Sequence, residues 1–325
     1  MHGKGASLNE RYEDMYQAAS RYYIQGETME SIAHQLKLSR SSVSRLLKDA
    51  RESGLVRISL ADHSGSQSPA AATLSRLFGV RVHMVSVRES ANENLRFDQV
   101  ARLAGRLLTE AVGDHMYIGA AWGVTLSHVV KHLGRRPLVG STVVQINGGA
   151  NQRSSGIPYI GEILQSIGDA FDARVVLFPV PAFFDYAATK QAMWRERSVQ
   201  NVLRLHEMLD VAIFGVGCLE GRVPSHVYTA GYMDAADMRQ LAADGVVGDV
   251  CTVLLREDGS YADIPYNERA TGLTPAELQR VPRRICVVAD PSRAPAVVGA
   301  LRAGVATDLV LDEGTARAIL DRVRA

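Results

Sequence analysis

No apolar run in the 325-residue chain reaches the ~18 to 20 residues that a membrane-spanning helix needs, and the first residues lack the apolar core of a signal peptide. A soluble, cytoplasmic protein is expected. Cysteine is scarce: Cys218, Cys251 and Cys286 are odd in number, far apart and without metal-ligand spacing. That excludes a disulfide framework, fits a reducing compartment and makes each thiol a small core residue, so no metal or cofactor is expected. A net charge of +1 excludes polyanion binding by bulk charge, and any basic patch must be local. There is no internal repeat. The one compositionally biased stretch, ADHSGSQSPAAA at 61–72, is small, polar and proline-containing, and reads as a linker between residues 1–60 and 73–325.

The stretch that is most informative runs from Thr28 to Arg51. Thr28 is placed to cap a short helix, Lys37 and Leu38 to turn the chain, and Ser39 to cap a second helix. Ile32, Ala33, Leu36, Leu38, Val43 and Leu46 give two amphipathic helices one small shared core, which is the pattern of a helix-turn-helix. The outward face of the second helix carries Ser39, Arg40, Ser41, Ser42, Ser44, Arg45 and Lys48, with Arg51 one turn on. From Ser39 to Arg51 four cations face one anion, Asp49. These are donors for phosphates and base edges on a helix slim enough for a major groove. Lys37 stands where glycine is common, and a positive φ there costs ~1 kcal/mol relative to glycine. A scaffold helix is expected over residues 9–25, ended by Gly26. Behind the second helix Leu55–Leu60 alternates like a strand that begins a wing, with Arg57 within reach of a phosphate.

Beyond the linker, apolar strands alternate with helices. Strands are expected over 80–87, 116–121, 142–146, 174–180, 211–216, 250–256, 285–289 and 309–311. Helices are expected over 95–112, 125–132, 159–171, 189–209, 234–243, 293–303 and 313–324. Continuous rather than alternating apolar strands mean a sheet covered on both faces, hence an α/β domain with a largely parallel sheet. Ligands bind such sheets beyond the carboxyl ends of the strands. Several strand ends here carry glycines and polar groups: Trp122-Gly123-Val124-Thr125, where Thr125 opens a helix as an anion seat; Gln145-Ile146-Asn147-Gly148-Gly149; Gly215-Val216-Gly217-Cys218; Gly248-Asp249; and Asp290-Pro291-Ser292-Arg293. Their convergence implies a small, anionic, hydroxylated ligand.

The chain resembles the SorC/DeoR-type sugar-binding transcriptional regulators over nearly its whole length. The stretches that carry the resemblance are SIAHQLKLSRSSVSRLLKDARESGLVRI, IGAAWGVTL, VVQINGG, AIFGVG, AGYM with DGVVGDV, and VGALRAGVATDLVLDEGTARAIL. The resemblance implies a Rossmann-like effector domain similar to ribose-phosphate isomerases and glucosamine-phosphate deaminases. It also implies a sugar or polyol phosphate as effector, and a homodimer or homotetramer. By motif, Gly123 and Thr125 match the phosphate loop, Gln145, Gly148 and Gly149 the second loop, Gly217 the third, and Asp249 the acidic position for sugar hydroxyls. Arg293 stands where members often have lysine. No lysine lies between His132 and Thr189, so capture of an aldehyde sugar as an imine near the second loop is not supported.

Two other classes were weighed. A sugar-phosphate isomerase would use Asp249 and Asp290 as acid and base, but has no need of a helix-turn-helix. A DNA-binding protein whose α/β part only oligomerises leaves the strand-end residues without a role. His128 and His132 lie four apart on one helix without a third ligand and read as surface or interface histidines. The reading adopted is a non-enzymatic regulator. Its paired helix-turn-helix units bind a pseudo-palindromic operator, and its effector shifts the population between states of different DNA affinity.

Overall fold

The computed structural model describes residues 8–56, 68–87, 93–151, 154–219, 225–229 and 231–324. The chain divides into two units, Met1–Ser66 and Gln67–Ala325. Arg57, the expected strand beyond Val56, and the expected linker as far as Gln67 lie outside the described residues. The remainder of that linker stretch is not extended chain: Ser68 caps a helix, Pro69–Phe78, whose Pro69 sits at the first helical turn where its missing N–H costs nothing.

In the first unit α1 (Leu8–Ala19) runs into a π-helical turn, Ser20–Ile24, before Gly26. α2 (Met29–Leu36) and α3 (Arg40–Glu52) follow. The Thr28 side chain accepts from the Ser31 N–H and the Ser39 side chain from the Ser42 N–H, so both expected caps form. Lys37 lies in the left-handed region at φ 54°, and the Leu38 N–H closes the turn on the Ala33 carbonyl at 2.9 Å. Ala18, Ile32, Ala33, Val43, Leu47 and Ala50 make the buried core, with Leu36, Leu38 and Leu46 half-buried around it. Asp49 pairs with Arg11 of α1 at 2.8 Å.

The second unit is built on nine strands: β1 (Arg81–Val85), β2 (Tyr117–Ala120), β3 (Thr142–Gln145), β4 (Arg174–Val176), β5 (Val211–Cys218), β6 (Val246–Val250), β7 (Val253–Arg256), β8 (Arg283–Val287) and β9 (Asp308–Asp312). Seven form a parallel sheet in the order β1-β9-β8-β5-β2-β3-β4. Alternate residues of one strand enter opposite layers. Ala212, Phe214 and Val216 of β5 join one core, Val211 and Ile213 the other, so helices cover both faces. At the rim Asp308 is fully buried between Arg81, His83 and Thr307.

Two expected elements are corrected. The strand placed at 250–256 is an antiparallel hairpin of β6 and β7, and β6 pairs with the far end of β5. Its two-residue turn, Cys251-Thr252, takes φ of 51° and 68° without glycine or asparagine, which hides the turn from the sequence. The helix placed at 189–209 is two helices, Ala187–Met193 and Arg197–His206. The chain breaks at Trp194, whose ring lies against Phe178 and Phe184, 5.8 and 6.1 Å between centroids.

Candidate functional site

The strand order sets the place. From β2 the chain moves outward through β3 and β4, then crosses back to β5 on the other side of β2. Loops that leave neighbouring strands in opposite directions open a crevice beyond their carboxyl ends. A cavity open to solvent lies there. Trp122, Gly123, Thr125, Asn147, Gly217, Asp249 and Arg293 line it together, brought from β2, β3, β5, β6 and β8 or the turns that follow them.

Gly123, at φ 140°, makes the sharp turn from β2 into the helix Val124–Val129. Across the crevice, β5 passes without side chains at two alternate positions. A Cβ at Gly215 would lie 3.4 Å from the Thr125 hydroxyl, and one at Gly217 only 1.8 Å from Oδ1 of Asp249. Asp249, 4% exposed, accepts from the Tyr228 hydroxyl at 2.9 Å and from the Thr252 N–H at 3.0 Å. Burial pushes its carboxyl above the usual range, and Tyr228, Thr252 and the Arg293 charge pull it only part of the way back. Burial and the Asp249 charge push the Tyr228 phenol well up, so it stays a neutral donor. Arg293 is buried, donates Nη1 to the Val216 carbonyl at 2.6 Å, and lies 3.6 Å from Asp290. Asn147 is 2% exposed, and its side-chain oxygen has no hydrogen-bond partner among the described residues. A buried acceptor left open costs ~1–3 kcal/mol, which a ligand hydroxyl recovers.

Gln145, Gly148 and Gly149 do not line this cavity. Gln145 has both ends of its amide engaged, receiving the Phe178 N–H at 2.9 Å and donating to the Asn147 carbonyl at 2.7 Å. The two glycines serve close packing: a Cβ would come within 2.2 Å of the Pro181 carbonyl at Gly148 and 1.8 Å of Ile160 at Gly149. Ser225, His226, Cys251 and Thr252 do line it, and Tyr228 supports it from below, although the sequence singled none of them out for a ligand. Cys251 and Thr252 follow Asp249 closely in the chain, whereas Ser225, His226 and Tyr228 lie more than twenty residues upstream and carry no sequence signal. His128 and His132 are half-buried. They pack on the helix Glu93–Ala111, against Phe97 and on Asp98 at 2.7 Å respectively. No group of three His, Cys, Asp or Glu that could hold a metal exists among the described residues.

On α3, Ser41, Ser44, Arg45, Lys48 and Arg51 are exposed, and Ser42 is half-buried. Ser39 caps the helix and bonds the Ser41 and Ser42 hydroxyls. Arg40 pairs with Glu30 at 2.8 Å and Lys48 with Glu52 at 3.7 Å, both on the surface. Arg45 and Arg51 have no ion pair among the described residues.

Residues 63–321 match the family described as "Putative sugar-binding domain". The chain belongs to this family. It is 27% identical over 313 residues to the deoxyribonucleoside regulator of Bacillus subtilis (strain 168), covering 96% of this chain and 98% of the relative. A crystal structure of a domain of a "possible sugar-binding transcriptional regulator" from Arthrobacter aurescens TC1 is 46% identical. It covers 80% of this chain and 100% of its own, with a TM-score of 0.74. The full-length sorbitol operon regulator SorC of Klebsiella pneumoniae superposes over 98% of this chain and 100% of its own. There the TM-score is 0.75 at 21% identity, a likeness of fold. These relatives are named transcriptional regulators, not enzymes. Among the described residues no helix is long and apolar enough to cross a membrane.

Proposed function

We propose that the protein is a DNA-binding transcriptional regulator of carbohydrate metabolism, controlled by a small sugar or polyol phosphate bound in the crevice between β2 and β5. The observation that carries the effector half is the convergence of Thr125, Asn147, Asp249 and Arg293 on one cavity at the switch point of the sheet. Thr125, the backbone around Gly123 and the Arg293 charge suit the anionic end, while Asn147 and Asp249 suit hydroxyls. The DNA half rests on α2 and α3, joined by the Lys37 turn, with the exposed donors of α3 meeting the major groove. A homodimer or homotetramer pairs these units on a pseudo-palindromic operator. Effector binding favours one arrangement and changes operator affinity by the difference in its affinity for the two.

The test is a thermal-shift screen against pentose, hexose and polyol phosphates beside their unphosphorylated parents. A ligand at 100 times its Kd stabilises the native state by about 2.7 kcal/mol. A phosphate that stabilises where its parent does not supports the reading. Stabilisation by free sugars alone removes the anion seat.

A further inference from the structure

Among the described residues one arginine, Arg293, and no lysine line the crevice, little positive charge for the ligand just proposed. Thr125 and Asp249 face β5 at Gly215 and Gly217, two residues apart on one side of the strand. Two residues of strand span about 7 Å. Between them, at Val216, the Arg293 guanidinium is tied to the backbone carbonyl, and it is shared with Asp290 at 3.6 Å. One buried guanidinium therefore serves two buried carboxylates before any ligand arrives. We propose that the anionic effector enters this crevice together with a proton, which Asp249 takes. The inference rests on the sugar-phosphate reading of the same site.

The charged and titratable groups around Asp249 come from every element packed on it. They are Tyr228 and His226 of the segment His226–Thr229, Cys218 of β5, Cys251 of the hairpin turn, and Arg293 with Asp290 from the turn after β8. Tyr228 and Cys251 are held neutral by burial. Of the two buried carboxylates, Asp290 caps its own turn through the Ser292 N–H and hydroxyl, and Asp249 is the one that stands against β5 beside the anion seat. Like charges about 7 Å apart, at an effective dielectric constant of ~20, change a proton affinity roughly fiftyfold. An anion at Thr125 thus favours the neutral carboxyl, already favoured by burial. The Tyr228 hydroxyl donates to Oδ1 and the Thr252 N–H to Oδ2, and the proton takes a remaining lone pair on one of these oxygens. The sign follows: anion affinity is highest below the proton-release range of free Asp249, falls as pH rises toward the range of the ligated form, and is level beyond it.

The experiment uses sulfate, a dianion that does not itself titrate between pH 5 and 8.5, on the full chain. Sulfate Kd is measured by calorimetry across that range, in buffers of different ionisation heat, for the wild type, Asp249→Asn and His226→Asn. The expected wild-type result is proton uptake approaching one per sulfate, and a Kd that rises toward tenfold per pH unit within the window. Asp249→Asn should show a flat profile and bind sulfate more tightly than the wild type at pH 8. His226→Asn should keep the wild-type slope. Sulfate binding with a pH-independent Kd and no proton uptake overturns the coupling and leaves the anion seat standing. A slope abolished by His226→Asn overturns it in favour of the imidazole. Absence of sulfate binding at every pH removes the anion seat and the coupling with it. Wild-type proton uptake that survives in His226→Asn decides the matter even if Asp249→Asn fails to fold.

Discussion

Gly217→Ala probes the crevice from inside the fold. The new methyl would stand 1.8 Å from Oδ1 and 2.8 Å from Cγ of Asp249, distances that no real Cβ tolerates. β5 is held by β6 at this register, Gly217 opposite Asp249, so the strand cannot retreat without breaking its pairing with β6. The carboxylate must turn away instead, and it then loses the Tyr228 bond at 2.9 Å, the Thr252 bond at 3.0 Å, or both. Hydrogen bonds to a charged group contribute about 1.5–3 kcal/mol each. The expected loss is about 2–4 kcal/mol, a fall in Tm of roughly 4–16 °C for a unit of this size. The same methyl fills the ligand side of the cavity, so ligands that stabilise the wild type should leave the variant's melting curve unmoved. Urea and thermal melts with and without ligand read both effects. A Gly217→Ala protein with wild-type stability and an undiminished ligand shift would refute the placement of Asp249 against β5.

Three further outcomes follow from other parts of the molecule. Asp308→Asn should cost about 1–3 kcal/mol at pH 7, because it removes the charge of a buried carboxylate that receives exposed Arg81 and the half-buried His83 and Arg283, where solvent screens the pairs. Burial pushes the Asp308 carboxyl up, but hydrogen bonds from His83, Arg81 and Thr307 and the Arg283 charge outweigh it and hold the group below the usual range. Its stabilisation is therefore present above the unfolded value of ~4 and lost as pH falls further. The gap between wild type and variant in urea midpoints should narrow in acid, and an equal gap at pH 7 and at pH 2 would contradict the cluster. Lys37→Gly should stabilise the first unit by ~1 kcal/mol in a denaturant melt, since φ 54° costs lysine what it does not cost glycine, with DNA binding unchanged. Arg45→Ala should weaken DNA binding and shrink the salt slope by about one if the side chain meets a phosphate; unchanged binding would remove α3 from the groove.

The elements that the sequence shows best are those whose signal is local. Glu313–Arg324 falls on the residues expected, Thr28 and Ser39 cap as expected, and the chain turns at Lys37. What hides from the sequence is set by tertiary contact. Trp194 ends a helix because its ring is drawn between Phe178 and Phe184, a force with no trace in helical periodicity. Cys251-Thr252 turns with both residues in the left-handed region, where propensity expects asparagine or glycine; the Asp249 bond to the Thr252 N–H and the absence of a Cβ at Gly272 accommodate it. The glycines of β5 make room for Thr125 and Asp249, and those at Gly148 and Gly149 carry the same signature for the passage of Pro181 and Ile160. Asp249 was legible as an acid near a strand end, although it stands inside an antiparallel strand. Tyr228, which orients it, lies 21 residues upstream on a four-residue helix with nothing in the sequence to link the two.

The central claim is that the crevice speaks to DNA, and one titration tests it most directly. Duplexes selected from a random pool by the full chain are bound with and without saturating effector, taken from the thermal-shift screen, for the wild type and for Thr125→Ala. Coupling between sites usually amounts to a 5- to 150-fold change in affinity. The account predicts a change of at least about fivefold in wild-type DNA affinity on adding effector. Thr125→Ala should bind DNA like the effector-free wild type at every effector concentration. A wild-type affinity that stays the same when the crevice is filled would contradict the account.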